Sequence, residues 1–133
     1  MEVFKCRVIS KGKCRGKIIY SSEPISFLGG IDPYTGKIMD IKHPLKGKTI
    51  KNKILVIPGG KGSTVGSYVI FQMHKNKTGP QGIICLEAEP IIATGAIMAE
   101  IPMVDNISEE AMEILSEGGE VEIDGDKAEI KLF

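Results

Sequence analysis

The chain has 133 residues, in which 17 basic and 17 acidic side chains cancel to a formal net charge of zero; that length can bury one core without disulfide or metal support. Fifteen of the basic residues are lysines, and only Arg7 and Arg15 carry the planar fork suited to bidentate phosphate and base recognition, so composition argues against a nucleic-acid binder. No apolar run approaches the roughly 20 residues needed to cross a bilayer, and "MEVFKCRVIS" has no apolar signal core, so a cytoplasmic protein without membrane contact is expected.

In chain order, "VFKCRVI" alternates as a strand, and "GKIIYSS" and "PISFLGG" follow as two more, with Gly and Pro punctuation between them. "GGIDPYTGKIMD" has the composition of a loop with defined turns. After "HPLKGKTIKNK", the continuous apolar run "ILVIP" predicts a strand buried on both faces and ended by Pro58. Val65, Tyr68, Val69, Gln72 and Met73 then fall at helical spacing, predicting a helix over about 64–75 with Ser63 or Thr64 as its cap. "GIICLEA" reads as a second buried strand, and "PIIATGAIMAE" as a short helix before "IPMV", weakened by Gly95. "SEEAMEILSEGG" is a helix capped by Ser108, with Glu109 and Glu110 at its positive end and Gly118-Gly119 as its stop. In "EVEIDGDKAEIKL", Asp124-Gly125 sits between two alternating strands as a hairpin turn. No linker or internal repeat interrupts the chain, so one α/β domain spanning 1–133 is expected, strand-rich, with a barrel-like β core and a few helices.

The stretch "ILVIPGGKGSTVGSY" joins a strand to a helix through glycines, which aims backbone N–H groups and a positive helix end at one spot. Three named motifs nevertheless fail. Lys61 is followed by Gly62 and not by Ser or Thr, the third glycine of a dinucleotide fingerprint is replaced by Val65, and Ser63 lacks the flanking glycines of a hydrolase elbow. What is left is Ser63 on a flexible turn, where amides and the Lys61 ammonium would stabilise its alkoxide; the competing reading is a helix cap.

Asp32 and His43 lie in loops and would form a proton-transfer or binding pair if those loops meet, the alternative being plain surface turns. His74 sits where it would interact with a helix dipole, and Glu87, Glu89, Glu109 and Glu110 read as solvated or capping groups. Cys6, Cys14 and Cys85 are odd in number, lack C-x-x-C spacing and fall on three strand-like segments. Ordinary thiols in a reducing compartment are expected, the sharper alternative being a three-cysteine cluster site.

Taken in order, "GGIDPYTGKIMDIKHPLKGKTIKNKILVIPGGKGSTVGSYVI" and "GPQGIICLEAEPIIATGAIMAEIPMVD" closely resemble the small, separate subunits of the archaeal aconitase X family, over almost the whole chain. The resemblance implies a swivelling β/β/α domain, like the fourth domain of aconitase, that closes over a larger subunit. It implies a hydro-lyase that removes water from a small phosphorylated hydroxy acid, (R)-5-phosphomevalonate, giving trans-anhydromevalonate 5-phosphate on the archaeal mevalonate route to isoprenoids. Carried onto this sequence, the family's serine base, the proton acceptor, would be Ser63; Gly60, Lys61, Gly62 and Thr64 beside it, with the loop residues Asp32 and His43, are the substrate-binding candidates. This chain would hold no metal or cofactor, the iron–sulfur cluster belonging to the large subunit of a heterodimer or a higher assembly of it.

One departure is that aconitase places an arginine just behind the serine, where this chain has Thr64 and Val65. Anion binding would then fall to the amides of residues 60–64, to Lys61 or to the partner. The alternatives are a dehydratase subunit for cis-3-hydroxy-L-proline, a non-catalytic anion-binding module and a purely structural subunit.

Overall fold

The computed structural model describes residues 1–61 and 65–133. Its strands are β1 (Glu2–Lys5), β2 (Arg7–Ser10), β3 (Lys13–Tyr20), β4 (Ile25–Ser26), β5 (Ile54–Ile57), β6 (Gly60–Lys61), β7 (Gly82–Cys85), β8 (Met103–Asp105), β9 (Glu120–Asp124) and β10 (Glu129–Leu132). The helices are a single turn α1 (Phe27–Gly30), then α2 (Gly66–Lys75), α3 (Pro90–Met98) and α4 (Glu109–Leu115).

Eight strands hydrogen-bond in the order β1-β10-β9-β3-β5-β7-β8-β2, and β4 pairs with β6 apart from them. The two strands at the ends of that order, β1 and β2, are separated in the chain only by Cys6, so the sheet must curl until its ends come together. A barrel-like core results, as the order of predicted strands suggested. The strands β3, β5, β7 and β8 run parallel at its centre, while β9, β10, β1 and β2 pair antiparallel.

The apolar runs of β5 and β7 are buried throughout because each face meets a different cluster. Leu55, Ile57, Ile83, Cys85 and Met103 pack outward under α2 and α3, against Ile70, Met73, Ile92 and Ala96. Ile54, Val56, Ile84 and Val104 pack on the other face, against Val121, Ile123 and Ile130 of the antiparallel strands and Ala111, Met112 and Leu115 of α4.

Three expectations are corrected. "VFKCRVI" is two strands, because Cys6 leaves the ladder to donate its amide to the Ala128 carbonyl at 3.1 Å. "PISFLGG" yields only the two-residue β4 before the chain coils into α1, where Gly29 takes φ +82°. The terminal hairpin closes through the four residues 125–128, since Asp124 is itself paired with Glu129. Ala128 takes the left-handed position (φ +53°), and Asp124 Oδ1 accepts the amides of Asp126 and Lys127 at 3.0 and 3.2 Å. Gly125 is needed for another reason. A Cβ there would lie 2.6 Å from the Gly12 carbonyl oxygen.

Elsewhere the local signals hold. Ser108 Oγ accepts the Ala111 amide at 3.0 Å to start α4, and Gly118 and Gly119 end it at φ +86° and +110°. Among the described residues no helix is long and apolar enough to cross a membrane.

Candidate functional site

The parallel strands β3, β5, β7 and β8 all end on the same side of the sheet, the side from which α2 and α3 start. Crevices at the carboxyl ends of parallel strands are where open α/β sheets bind ligands. The glycine turn after β5 lies there. Gly62, Ser63 and Thr64 fall outside the described residues, so both the base and the cap readings of Ser63 do as well. Gly60 and Lys61 enter through their backbone, which pairs as β6 with Ile25 and Ser26. The residue at the N-cap position of α2 is Val65.

Two polar clamps hold the flanks of this turn. On one side, Ser21 follows β3 and donates its amide to the Val56 carbonyl of β5 at 3.0 Å. Its Oγ donates to the Glu23 carbonyl at 2.7 Å, accepts the Glu23 amide at 3.1 Å and lies 3.2 Å from His43 Nε2. Nδ1 of the same imidazole accepts the Leu45 amide at 3.1 Å. Two residues past Glu23 the chain enters β4, which pairs with Gly60 and Lys61.

On the other side, the loop 86–89 between β7 and α3 touches the turn's entry: a Cβ on Gly59 would meet the Glu87 carbonyl oxygen at 3.2 Å. That loop is fixed from below by Asp105, which ends β8. Its carboxylate accepts the Ala88 amide at 2.8 Å and both prongs of Arg7 at 2.8 Å. The Arg7 guanidinium and the Ala88 amide outweigh burial and hold the Asp105 carboxyl below the usual carboxylate range. Glu89 then starts α3, its two carboxylate oxygens accepting the amides of Ile91 and Ile92. It is the capping group expected of it.

Asp32 stands elsewhere. Its Oδ1 accepts the Tyr34 amide at 2.9 Å, an Asx turn within its own loop. The adjacent Pro33 carbonyl accepts Thr78 Oγ1 at 2.6 Å and Asn76 Nδ2 at 3.0 Å, which docks this loop against the residues that follow α2. The ten residues of α2 span about 15 Å, and the glycine turn precedes its first residue. The Asp32 and His43 side chains therefore take different partners, and among the described residues no hydrogen bond joins the two.

The thiols are not arranged to hold a cluster. Cys85 packs in the layer beneath α2 and α3, whereas Cys6 and Cys14 pack against the opposite cluster. Burial pushes the Cys6 thiol up to about 11 and those of Cys14 and Cys85 up to about 12, so all three stay protonated near neutrality. Among the described residues no group of three or more His, Cys, Asp or Glu side chains is placed to hold a metal ion.

Around the described part of the turn stand backbone amides, the start of α2 and a polar frame. The aconitase X swivel domain family matches residues 3–132. The chain belongs to that family. The swivel domain is 64% identical over 131 residues to the phosphomevalonate dehydratase small subunit of Methanothermobacter thermautotrophicus, covering 98% of this chain and 99% of that one. It is 51% identical over 130 residues to the phosphomevalonate dehydratase small subunit of Methanosarcina mazei, covering 98% and 90%. In three dimensions it is similar to the crystal structure of Thermococcus kodakaraensis aconitase X in its holo form, with a TM-score of 0.91, 46% identity and coverage of 100% and 99% of the two chains.

Sequence reasoning missed Ser21, Arg7 and Asp105 as parts of the polar frame that flanks the glycine turn. Arg7 and Asp105 lie 98 positions apart, a separation at which no local pattern operates. Glu89 did carry a signal: an acceptor directly before Pro90, the residue type favoured at a first helical position.

Proposed function

We propose that this chain is the small subunit of a phosphomevalonate dehydratase and acts only when closed over a larger subunit. The observation that carries the proposal is the 64% identity spanning nearly the whole of both chains. The reaction is loss of water from (R)-5-phosphomevalonate to trans-anhydromevalonate 5-phosphate, a step of the archaeal mevalonate route. Residues 1–133 serve as one swivel domain in the cytoplasm, paired with a large subunit that holds the iron–sulfur centre.

Ser63 Oγ, as the alkoxide, takes the proton from the carbon next to the one that loses its hydroxyl. A serine hydroxyl is too weak an acid to ionise in water at neutral pH, so the turn must stabilise the anion. The amides of residues 60–64 and the positive end of α2 supply that stabilisation, and Lys61 adds charge. The polar frame described above holds the turn in place, and water is excluded when the larger subunit closes the other side. The readings as a hydroxyproline dehydratase subunit or a non-catalytic anion module gain no support from these relatives.

The test is co-expression with the large subunit. Ser63→Ala is expected to lower kcat for phosphomevalonate dehydration by about 10²–10⁴-fold, the usual contribution of a positioned general base, with the complex intact by size-exclusion chromatography. Near wild-type turnover in an intact complex would remove Ser63 from the chemistry.

A further inference from the structure

We propose that His43 is a positioning residue for the glycine turn, not a substrate ligand, and that it acts through Ser21 and the β4–β6 pair. The inference deepens the reading of Ser63 as the base and rests on it for its kinetic consequence.

His43 is only 7% exposed although its neighbours Lys42 and Pro44 face solvent. A polar ring turned inward from an exposed loop needs partners, and it has one for each nitrogen. The Leu45 amide can only donate, so Nδ1 is the acceptor and carries no proton. Nε2 therefore bears the hydrogen and donates it to Ser21 Oγ. That oxygen also accepts the Glu23 amide and donates to the Glu23 carbonyl, so both its lone pairs and its single proton are engaged. No lone pair or N–H of the imidazole is left for a substrate.

The chain so ordered runs from the Leu45 amide through His43 and Ser21 to Glu23, and everything downstream of it bears on the turn. The Ser21 amide ties the cluster to Val56, which lies two residues before Pro58. Two residues after Glu23, Ile25 and Ser26 pair with Gly60 and Lys61. The described residues that lead to Ser63 are thus gripped twice by one segment, at Val56 and at Gly60 and Lys61, and His43 fixes the bend of that segment. β4–β6 is only two residues long, and among the described residues no further strand lies beside it, so it depends on such outside support. A misplacement of about 1 Å at a reacting group is enough to cost on the order of 100-fold in rate.

The experiment compares His43→Ala, His43→Gln and Ser21→Ala in the full chain and in the pair with the large subunit. In the full chain, ¹⁵N spectra of the imidazole should show the Nε2–H tautomer. Amide exchange over residues 25–26 and 60–61 should accelerate at least tenfold in His43→Ala. In the pair, His43→Ala should lower kcat for phosphomevalonate about 10- to 100-fold with KM little changed. His43→Gln, whose side-chain amide can still donate toward Ser21, should recover most of it. Ser21→Ala should reproduce the loss, and the double variant should add nothing. A raised KM with unchanged exchange would make His43 a substrate ligand and overturn the proposal, as would full activity of both His43→Ala and Ser21→Ala. Should His43→Ala fail to fold, Ser21→Ala and His43→Gln carry the same comparison. The exchange arm needs no substrate, so a wild-type pair that failed to dehydrate phosphomevalonate would sink the functional reading alone.

Discussion

Arg7 and Asp105, 98 positions apart, meet in a two-pronged ion pair, Nε to Oδ1 and Nη2 to Oδ2, each at 2.8 Å. The pair joins β2 to the end of β8, and Asp105 passes the restraint on to the Ala88 amide beside the glycine turn. The carboxylate is wholly buried while the arginine is more than half exposed. Removing the acid is the informative change, because it orphans an amide and unties two strands at once. Asp105→Ala should cost on the order of 2–4 kcal/mol, and Asp105→Asn less, since its amide oxygen can still accept from Ala88. Urea midpoints of the three proteins would check the order, and equal values for Ala and Asn would contradict it.

The same residue sets a pH dependence. Arg7 holds the folded-state carboxyl of Asp105 low. At Asp124, burial pushes the carboxyl up but is outweighed by the Lys127 and Asp126 amides and by Lys13 and Lys131. An unfolded aspartate titrates near about 3.9. Because both folded values lie below the unfolded one, their stabilisation is complete above that pH and is lost as the pH falls through the folded values. The contribution of these two carboxylates should therefore be level above about pH 5 and fall below about pH 4, with a shallower fall in Asp105→Asn. An acid limb unchanged by that substitution would assign the effect to other groups.

Gly95 is the contact point of α3 with α2. A Cβ there would lie 3.0 Å from the Ser67 Cα and 2.9 Å from Ile70 Cδ1. Gly95→Ala should gain about 1 kcal/mol of helix propensity yet lose about 1–3 kcal/mol to overpacking, for a net loss. Since both helices start beside the glycine turn, the reconstituted pair should also lose turnover. Thermal melts decide the matter, and a raised Tm would show that the helices can separate freely.

Glu89 closes the start of α3 with two hydrogen bonds. Glu89→Ala should cost about 0.5–2 kcal/mol, and Glu89→Asp, which keeps an acceptor near the same amides, should recover part of it. Denaturant titration of the two variants measures the difference directly. Equal losses would mean that the cap is not what stabilises α3.

The cysteines give a chemical test of burial. With folded-state thiols raised to about 11 for Cys6 and about 12 for Cys14 and Cys85, native protein should react with iodoacetamide at pH 8 far more slowly than unfolded protein, whose thiols titrate near about 8.5. Mass spectrometry counts the adducts. Rapid modification of Cys85 in the native chain would contradict its placement under α2 and α3.

By itself the sequence determined what a few neighbouring residues can decide. The apolar runs of β5 and β7, the Ser108 cap, the glycine stop after α4 and the strand-to-helix passage at the glycine turn are all encoded within about ten residues of where they act. Local reading failed where a distant segment intervened. Asp124-Gly125 looked like a two-residue turn, but Gly125 is small because Gly12 passes within 2.6 Å of where its Cβ would be. "VFKCRVI" looked like one strand, but Cys6 turns aside to the Ala128 carbonyl. Only the tertiary structure decided which partners the Asp32 and His43 side chains take, that Ser21 is the partner of His43, and that Arg7 reaches Asp105. Such pairings are set by how the sheet curls and which strand ends come side by side. A hydrogen bond depends on distances of tenths of an ångström, and residues far apart in the chain acquire those distances only when the core has packed.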